Sequence, residues 1–230
     1  MDPVERVRAY IENVKLVLED LREKGVDKEY PRLYEAIVLY TRDAEYYLGK
    51  GDWFTALACI AYAEGLVDSL RYLGFMEITW RSVSELVSRP KVLVAGCFEI
   101  LHPGHIHYLR EAWRRGRVYV VVARDDSIRR FKGREPVVPE DQRLRVVESI
   151  RYVYRAVLGD REDILKPVLD IKPDIILLGP DQGFSEEWLR DELVKRGLRD
   201  VVIERLRERI DEGLYSTSRI IKEVVKKYCR

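Results

Sequence analysis

The chain has 230 residues, 47% hydrophobic and 35% charged, with a formal net charge of +1. Such a length allows one or two domains, and such an apolar content supports a real core. The small, dispersed charge and the lack of a nucleic-acid-binding motif argue against a nucleic-acid partner, and no apolar run is long enough to span a bilayer. Cys59, Cys97 and Cys229 are odd in number and never form a C-x-x-C pair, as expected of reduced thiols in a cytoplasmic protein. MDPVERVRAY at the start mixes charged with apolar residues and does not read as a signal peptide. Asn13 is the only Asn, and Gln142 and Gln182 are the only Gln; with the high charge content, this composition suggests a thermophile. Residues 1–88 carry 11 Lys/Arg against 16 Asp/Glu, so the remainder is net basic, a mild pointer to anionic ligands such as phosphates.

In chain order, residues 3–24, 30–49 and 52–73 place apolar side chains at helical spacing. In the first, Val4, Val7, Tyr10, Ile11, Val14, Val17 and Leu18 form the stripe. EKGVDKEYP and GKGD separate the segments with helix-stop and helix-start residues. The third is rich in Ala at 56, 58, 61 and 63, which lets helices approach closely. The expectation is an antiparallel three-helix bundle over residues 1–75 that serves docking or dimerisation. MEITWRSVSELVSRP reads as a connector, with residues 76–89 as a linker. From residue 90 the period changes. Strands are expected at 91–96, 118–124, 154–159, 174–180 and 200–206, and helices near 104–114, 139–151, 162–171, 185–196 and 217–228. Continuous apolar strands with crossover helices predict an α/β unit with a five-stranded parallel sheet covered on both faces. Ligands bind such a sheet at the carboxyl ends of its strands.

All three histidines fall in AGCFEILHPGHIHYLR, directly after the first of these strands. Pro103 suits the first turn of a helix. His102 then lies at the helix entry, and His105, three residues on, shares its face. His107 points to roughly the opposite side. Gly104 lets a ligand approach the backbone, and the helix N-terminus offers N–H groups and positive potential. These features suit a polyphosphate with two imidazoles as added donors. A zinc site would need a third ligand, but His107 faces away and no Cys is suitably spaced. Acyl transfer would need a nucleophile, and no G-x-S-x-G is present. A chance cluster accounts poorly for two histidines spaced around a glycine at a helix entry.

GCFEILHPGH resembles the G-T-F-D-x-x-H-x-G-H signature of the nucleotidyltransferase superfamily, and the similarity runs over about residues 90–225. KGREPVVPEDQRLRVVESI resembles the loop and helix after the second strand in glycerol-3-phosphate cytidylyltransferases and archaeal FAD synthases. LGPDQ and STSRII resemble two later elements of the same families. ALACIAYAEGLVDSLR resembles a small archaeal helical family of undetermined function. The superfamily resemblance implies a Rossmann-like sheet of order 3-2-1-4-5, which would place the loops after Gly96 and Gly179 on one crevice. Three departures stand out. Cys97 replaces Thr, Glu99 replaces Asp, and EGLYSTS has one residue more than the cytidylyltransferase version.

The resemblance implies transfer of a nucleotidyl group from an NTP to a phosphate-bearing acceptor, with release of pyrophosphate. His102, His105 and Lys132 are the expected catalytic groups, Lys132 in a Gly-bounded basic loop, RRFKGREP. Gly96, Cys97, Phe98, Gly104, Arg143, Asp181, Ser216, Thr217 and Ser218 are expected around the nucleotide. Glu99 and Arg124 are expected at the acceptor. No metal ligands are expected from the protein, since Mg2+ would arrive with the NTP. VVARDDSIRRFKGREPVVPEDQR and GPDQ resemble archaeal FAD synthases more closely than cytidylyltransferases, so ATP with FMN ranks first. CTP with glycerol 3-phosphate or another phospho-alcohol ranks second, and adenylyl transfer to phosphopantetheine third. A non-catalytic nucleotide-binding regulator is the alternative of another class. A flavin acceptor would need a flat slot, for which Phe131, Phe184, Trp188 and Tyr215 are candidates.

Overall fold

A computed structural model describes residues 2–207 and 213–229. The chain divides into two compact units, with the boundary between Arg89 and Pro90.

The first unit is helical: α1 (Pro3–Glu23), α2 (Val26–Glu29), α3 (Pro31–Gly49), α4 (Trp53–Tyr72) and α5 (Val83–Val87). Two of its long helices, α1 and α4, begin at side-chain caps. Asp2 accepts from the Val4 N–H ahead of Pro3, and Asp52 accepts from the Thr55 N–H. The apolar stripe of α1 (Val7, Ile11, Val14, Leu18 and Leu21) meets Ile37 and Ala44 of α3 and Ile60, Ala63 and Val67 of α4 in one core. Only two of the α4 alanines face that core: Ala56 and Ala63 are buried, whereas Ala58 and Ala61 are exposed.

Residues 76–89 do not run free of the bundle. Met76, Ile78 and Trp80 pack against its core. The Trp80 indole donates to Asp68 (2.9 Å), and the Asn13 side chain both donates to the Arg81 carbonyl (2.8 Å) and accepts from its N–H (3.2 Å). Arg89 closes the segment with an ion pair to Glu12. The stretch expected as a linker thus also contains α5, started by a capping box between Ser82 and Glu85.

The second unit is an α/β fold. Its strands are β1 (Lys91–Gly96), β2 (Arg117–Val122), β3 (Val153–Leu158), β4 (Ile175–Leu178) and β5 (Val202–Arg205), all parallel, in the order β3-β2-β1-β4-β5. The helices are α6 (Pro103–Arg115), α7 (Asp125–Lys132), α8 (Glu140–Glu148), α9 (Lys166–Ile171), α10 (Glu186–Lys195) and α11 (Thr217–Tyr228). Leu93, Val121, Ile176 and Ile203 point to one face of the sheet and pack with Val168, Leu189 and Leu193. Val92, Val94, Val118 and Val120 alternate to the other face and are fully buried. At the opposite end of β1, Gly116 lies so near the Pro90 carbonyl that a Cβ there would stand 2.0 Å from the oxygen. Only glycine lets β2 start beside β1.

The helix α7 is a correction to the sequence reading. RRFKGREP, expected as a Gly-bounded basic loop, begins inside this helix, whose charges mask its single buried apolar residue, Ile128. Lys132 is in fact the last residue of α7, and Gly133, at φ 65°, is its left-handed cap.

Candidate active site

The strand order reverses between β1 and β4, so the loops after Gly96 and Leu178 open on a common crevice. Gln182 ties its two walls. Its amide nitrogen donates to the Ala95 carbonyl (2.6 Å), and its amide oxygen accepts from the Gly179 N–H (3.0 Å). Arg205 then fixes the 179–184 loop by donating to the carbonyls of Gly179 (3.0 Å), Gln182 (2.8 Å) and Phe184 (2.6 Å).

His102 caps α6 in extended conformation without a side-chain capping bond, which leaves its ring available to turn toward the crevice. The rings of His102 and His105 stack at 3.8 Å between centroids and 26° between planes. Phe98 lies against His105 at 5.1 Å. The Phe98 backbone is left-handed (φ 48°), a conformation that costs a β-carbon residue energy and persists only when its surroundings hold it. Here its ring fills the space over Gly96, where a Cβ would come within 2.9 Å.

Burial holds the His105 imidazole down to about 3, with His102 and Lys132 adding to the effect. Burial also lowers His102. Both rings are therefore neutral near pH 7, each offering one donor and one acceptor nitrogen. The Nδ1 atoms of both are buried and have no hydrogen-bond partner. Gly104 serves closeness: a Cβ on it would stand 3.1 Å from His102 Nδ1 and 3.2 Å from the Tyr215 carbonyl oxygen. The segment before α11 therefore packs on the histidine turn.

His107 does not join the pair. It lines a hollow of about 480 Å³ on the flank of α6 that His102 also borders, with Leu101, Pro103, Ile106 and Arg110, and its Nε2 is buried without a partner.

A network of charged side chains lies on the other side of the β1–α6 loop. Arg143 is 1% exposed. It donates to the carbonyls of Val138 (2.9 Å) and Cys97 (2.6 Å) and to the Asp125 carboxylate (2.6 Å). Expected at the nucleotide, Arg143 has these guanidinium bonds committed to the protein and acts as a brace. Glu99, expected at the acceptor, is also buried. Its carboxylate accepts two bonds from Arg134 (2.5 and 3.0 Å) and one from the Val137 N–H (2.7 Å). Arg124 donates to the Gly159 carbonyl (2.7 Å) and pairs with Glu140 (2.6 Å). Asp125 and Glu140 cap each other's helices reciprocally.

Of the remaining expected residues, Asp181 is exposed on the loop after β4. Ser216 caps α11 through the Arg219 N–H (3.3 Å), and Thr217 and Ser218 form its first turn. In EGLYSTS, Glu212 lies outside the described residues. Phe184 and Trp188 stack at 6.2 Å, Phe131 is 66% exposed at the end of α7, and Tyr215 meets Gly104 through its carbonyl. Sequence reasoning missed Gln182, Arg134 and Arg205 as shapers of the site. Gln182 stood inside the quoted LGPDQ motif. The other two carry no signal beyond being arginines, because their partners are backbone groups or a carboxylate distant in sequence.

No helix among the described residues is long and apolar enough to cross a membrane. Among the same residues, no group of three or more His, Cys, Asp or Glu could hold a metal ion.

Comparison with known proteins agrees with this geometry. A family profile described as cytidylyltransferase-like matches residues 93–223, and one described as a protein of unknown function (DUF357) matches residues 9–76. An FAD synthase of Archaeoglobus fulgidus is 47% identical over 137 residues, covering 59% of this chain and 98% of the relative. The FAD synthase of Ferroglobus placidus is 48% identical over 136 residues, covering 59% of this chain and 88% of the relative. A crystal structure titled as the lipopolysaccharide core biosynthesis protein of Thermoplasma volcanium is 42% identical with a TM-score of 0.51, covering 53% of this chain and 98% of that one. The chain belongs to the cytidylyltransferase-like family, and its α/β unit is a nucleotidyltransferase.

Proposed function

We propose that the protein is an FMN adenylyltransferase, joining ATP and FMN into FAD and pyrophosphate. The single observation that carries the chemistry is the stacked, neutral His102–His105 pair at the mouth of α6. The choice of substrates is supported by relatives that are FAD synthases, at 44–48% identity over the α/β unit.

An FMN phosphate oxygen attacks the α-phosphorus of ATP, and the bond to the bridging α–β oxygen breaks. The attacking oxygen is already ionised at neutral pH, so no strong base is required, and catalysis rests on alignment and charge stabilisation. His102 and His105 donate N–H groups to the α- and β-phosphate oxygens, strengthening as charge builds on the five-coordinate phosphorus. Neutral rings suit this role, because two stacked imidazoles could not both hold a proton at low cost. Lys132 supplies the cation for the departing pyrophosphate. Gly104 lets the triphosphate approach the backbone at the helix N-terminus. Ser216, Thr217 and Ser218 offer the first-turn N–H groups of α11 to the nucleotide from the opposite wall. Asp181 contacts base or ribose, and Arg124 contributes to the acceptor side. A divalent cation, Mg2+, fits this donor set as a companion of the triphosphate, supplying charge neutralisation, since hard cations of this kind bind through phosphates and few carboxylates. The stacked rings of Phe184 and the exposed Trp188 supply a flat apolar surface of the kind an aromatic ring system needs.

The test mixes the protein and Mg2+ with ATP or CTP, against FMN, glycerol 3-phosphate and phosphopantetheine. FAD and pyrophosphate should form in equal amounts from ATP and FMN, and FMN fluorescence should change on binding. Turnover of CTP with a small phospho-alcohol, without FMN binding, would reject the flavin assignment. Absence of pyrophosphate from every pairing would favour a non-catalytic nucleotide sensor.

A further inference from the structure

We propose that Glu99 is a positioning residue that acts through Lys132: it bolts down the loop leaving α7, so that the lysine is presented to the polyphosphate beside His105. The inference deepens the nucleotidyltransfer reading and rests on it for the identity of the polyphosphate.

The geometry is a double clamp. Residues 134–138 fold back over the β1–α6 loop and are fastened to it at two places. At one, the Glu99 carboxylate holds both Arg134 (2.5 and 3.0 Å) and the Val137 N–H (2.7 Å). At the other, Arg143 bridges the Val138 and Cys97 carbonyls (2.9 and 2.6 Å). Lys132 precedes the first bolt by two residues, separated from it by the left-handed Gly133. Its direction is thus set by where Arg134 is held. The Arg134 hydrogen bond chiefly holds the Glu99 carboxyl below its usual range, and burial chiefly lowers His105; the Lys132 charge adds a smaller effect to each.

The Glu99 side chain is 1% exposed, and three protein donors already occupy its oxygens. It has no face left for an acceptor molecule. An aspartate here would fall short by about one carbon–carbon bond, ~1.5 Å, and could not reach Arg134 and Val137 together. The longer side chain, which departs from the Asp of the family signature, therefore matches the position of this particular loop.

The test uses the full chain with the variants Glu99→Gln, Glu99→Asp, Lys132→Met and the double variant Glu99→Gln/Lys132→Met. Binding of inorganic pyrophosphate is measured by calorimetry, and kcat and KM with ATP and FMN in parallel. Lys132→Met should weaken pyrophosphate binding by roughly 10- to 100-fold, the loss of one charge-assisted hydrogen bond. Glu99→Gln should lose a similar factor in kcat and pyrophosphate affinity, with KM for FMN little changed, and Glu99→Asp should recover part of it. The decisive result is non-additivity: the double variant should be no worse than Lys132→Met alone, within about twofold. Losses that multiply would overturn the proposal, as would a selective rise in KM for FMN, which would mark Glu99 as an acceptor contact. A lowered melting temperature with unchanged pyrophosphate affinity would reduce Glu99 to a fold-stabilising role and also overturn it. Should Glu99→Gln not fold, Arg134→Gln cuts the same bolt from its more exposed side and must show the same coupling to Lys132. Pyrophosphate binding does not depend on which nucleotide or acceptor turns over, so a failure of the FMN assignment is distinguishable from a failure here.

Discussion

The two units use buried polar side chains for different ends. In the helical unit Asn13, Lys15 and Arg89 are buried. Asn13 and Arg89 hold the 76–89 segment onto α1, while Lys15 pairs with Glu45 of α3. Among the described residues of the nucleotidyltransferase unit the buried charges are Glu99 and Arg143, both beside the loops at the carboxyl ends of the strands. Their partners are Arg134 and the Val137 N–H for Glu99, and Asp125 with the Val138 and Cys97 carbonyls for Arg143. Burying charge is costly and is tolerated where every donor and acceptor is met. The first unit accepts that cost to dock a tail. The second accepts it to hold loops that would otherwise move, which is where a nucleotidyltransferase needs rigidity.

The comparison breaks most readily at Arg143. Arg143→Met should destabilise the α/β unit by about 3–5 kcal/mol, because it removes the guanidinium that pairs with the Asp125 carboxylate and donates to two carbonyls. Urea unfolding of the full chain should show that loss in a transition separate from that of the helical unit. One shared transition would mean that the two units do not unfold independently.

His105→Ala comes next, with kcat falling on the order of 10²–10³, the usual cost of one transition-state donor. Steady-state pyrophosphate release would measure it, with ATP affinity changing far less. His107→Ala, whose ring lines the flank of α6, should change kcat little. The reverse ranking would contradict the placement of the two rings.

The units should also respond to pH in opposite senses. Burial, with Asp68 adding to it, pushes the Glu64 carboxyl up to about 7 from 4.5. The folded helical unit thus binds the extra proton, and its stability falls as pH rises from 4.5 through 7. His105 is held down to about 3 from 6.5. There the unfolded chain binds the extra proton, and stability falls as pH drops below 6.5. Between pH 6.5 and 5 the slope should approach ~1.4 kcal/mol per pH unit. Denaturation of residues 1–89 and of a chain starting at Pro90, each across pH 5–8, would separate the two trends. Glu64→Gln and His105→Gln should flatten them respectively.

The smallest effect is expected from removing the helical unit altogether. A chain starting at Pro90 contains the whole sheet and every group assigned to the site, so kcat should stay within about twofold. Aggregation or loss of activity would show that the helical unit completes the core. A change from dimer to monomer in light scattering would support a dimerising role.

The main architecture was legible because apolar periodicity dominates it. The KVLVAG strand was read at its observed bounds, and the strand order followed from the family resemblance. The histidine pair was legible because i and i+3 spacing after a strand leaves few alternatives. What escaped notice depends on long-range polar pairing. Nothing in RDDSIRRFK announces a helix whose first turn is capped by Glu140, 15 residues on. Nor does Arg143 announce, from its position in EDQR, that its guanidinium points inward to Cys97. Residues 76–89 were read as a linker because Trp80 and Asn13 lie far apart along the chain, and only folding shows what they hold.

The contact between Gly104 and the Tyr215 carbonyl fixes when, during biosynthesis, the protein can begin to work. Domains fold as they leave the ribosome, N-terminal ones first, so the helical unit forms early, and the histidine turn is made about halfway along the chain. The wall that faces Gly104 is not made until some 110 residues later. A nascent chain can therefore hold a nearly finished sheet and still lack a closed crevice. A chain ending shortly before Tyr215 would contain all five strands and still lack the wall that faces Gly104.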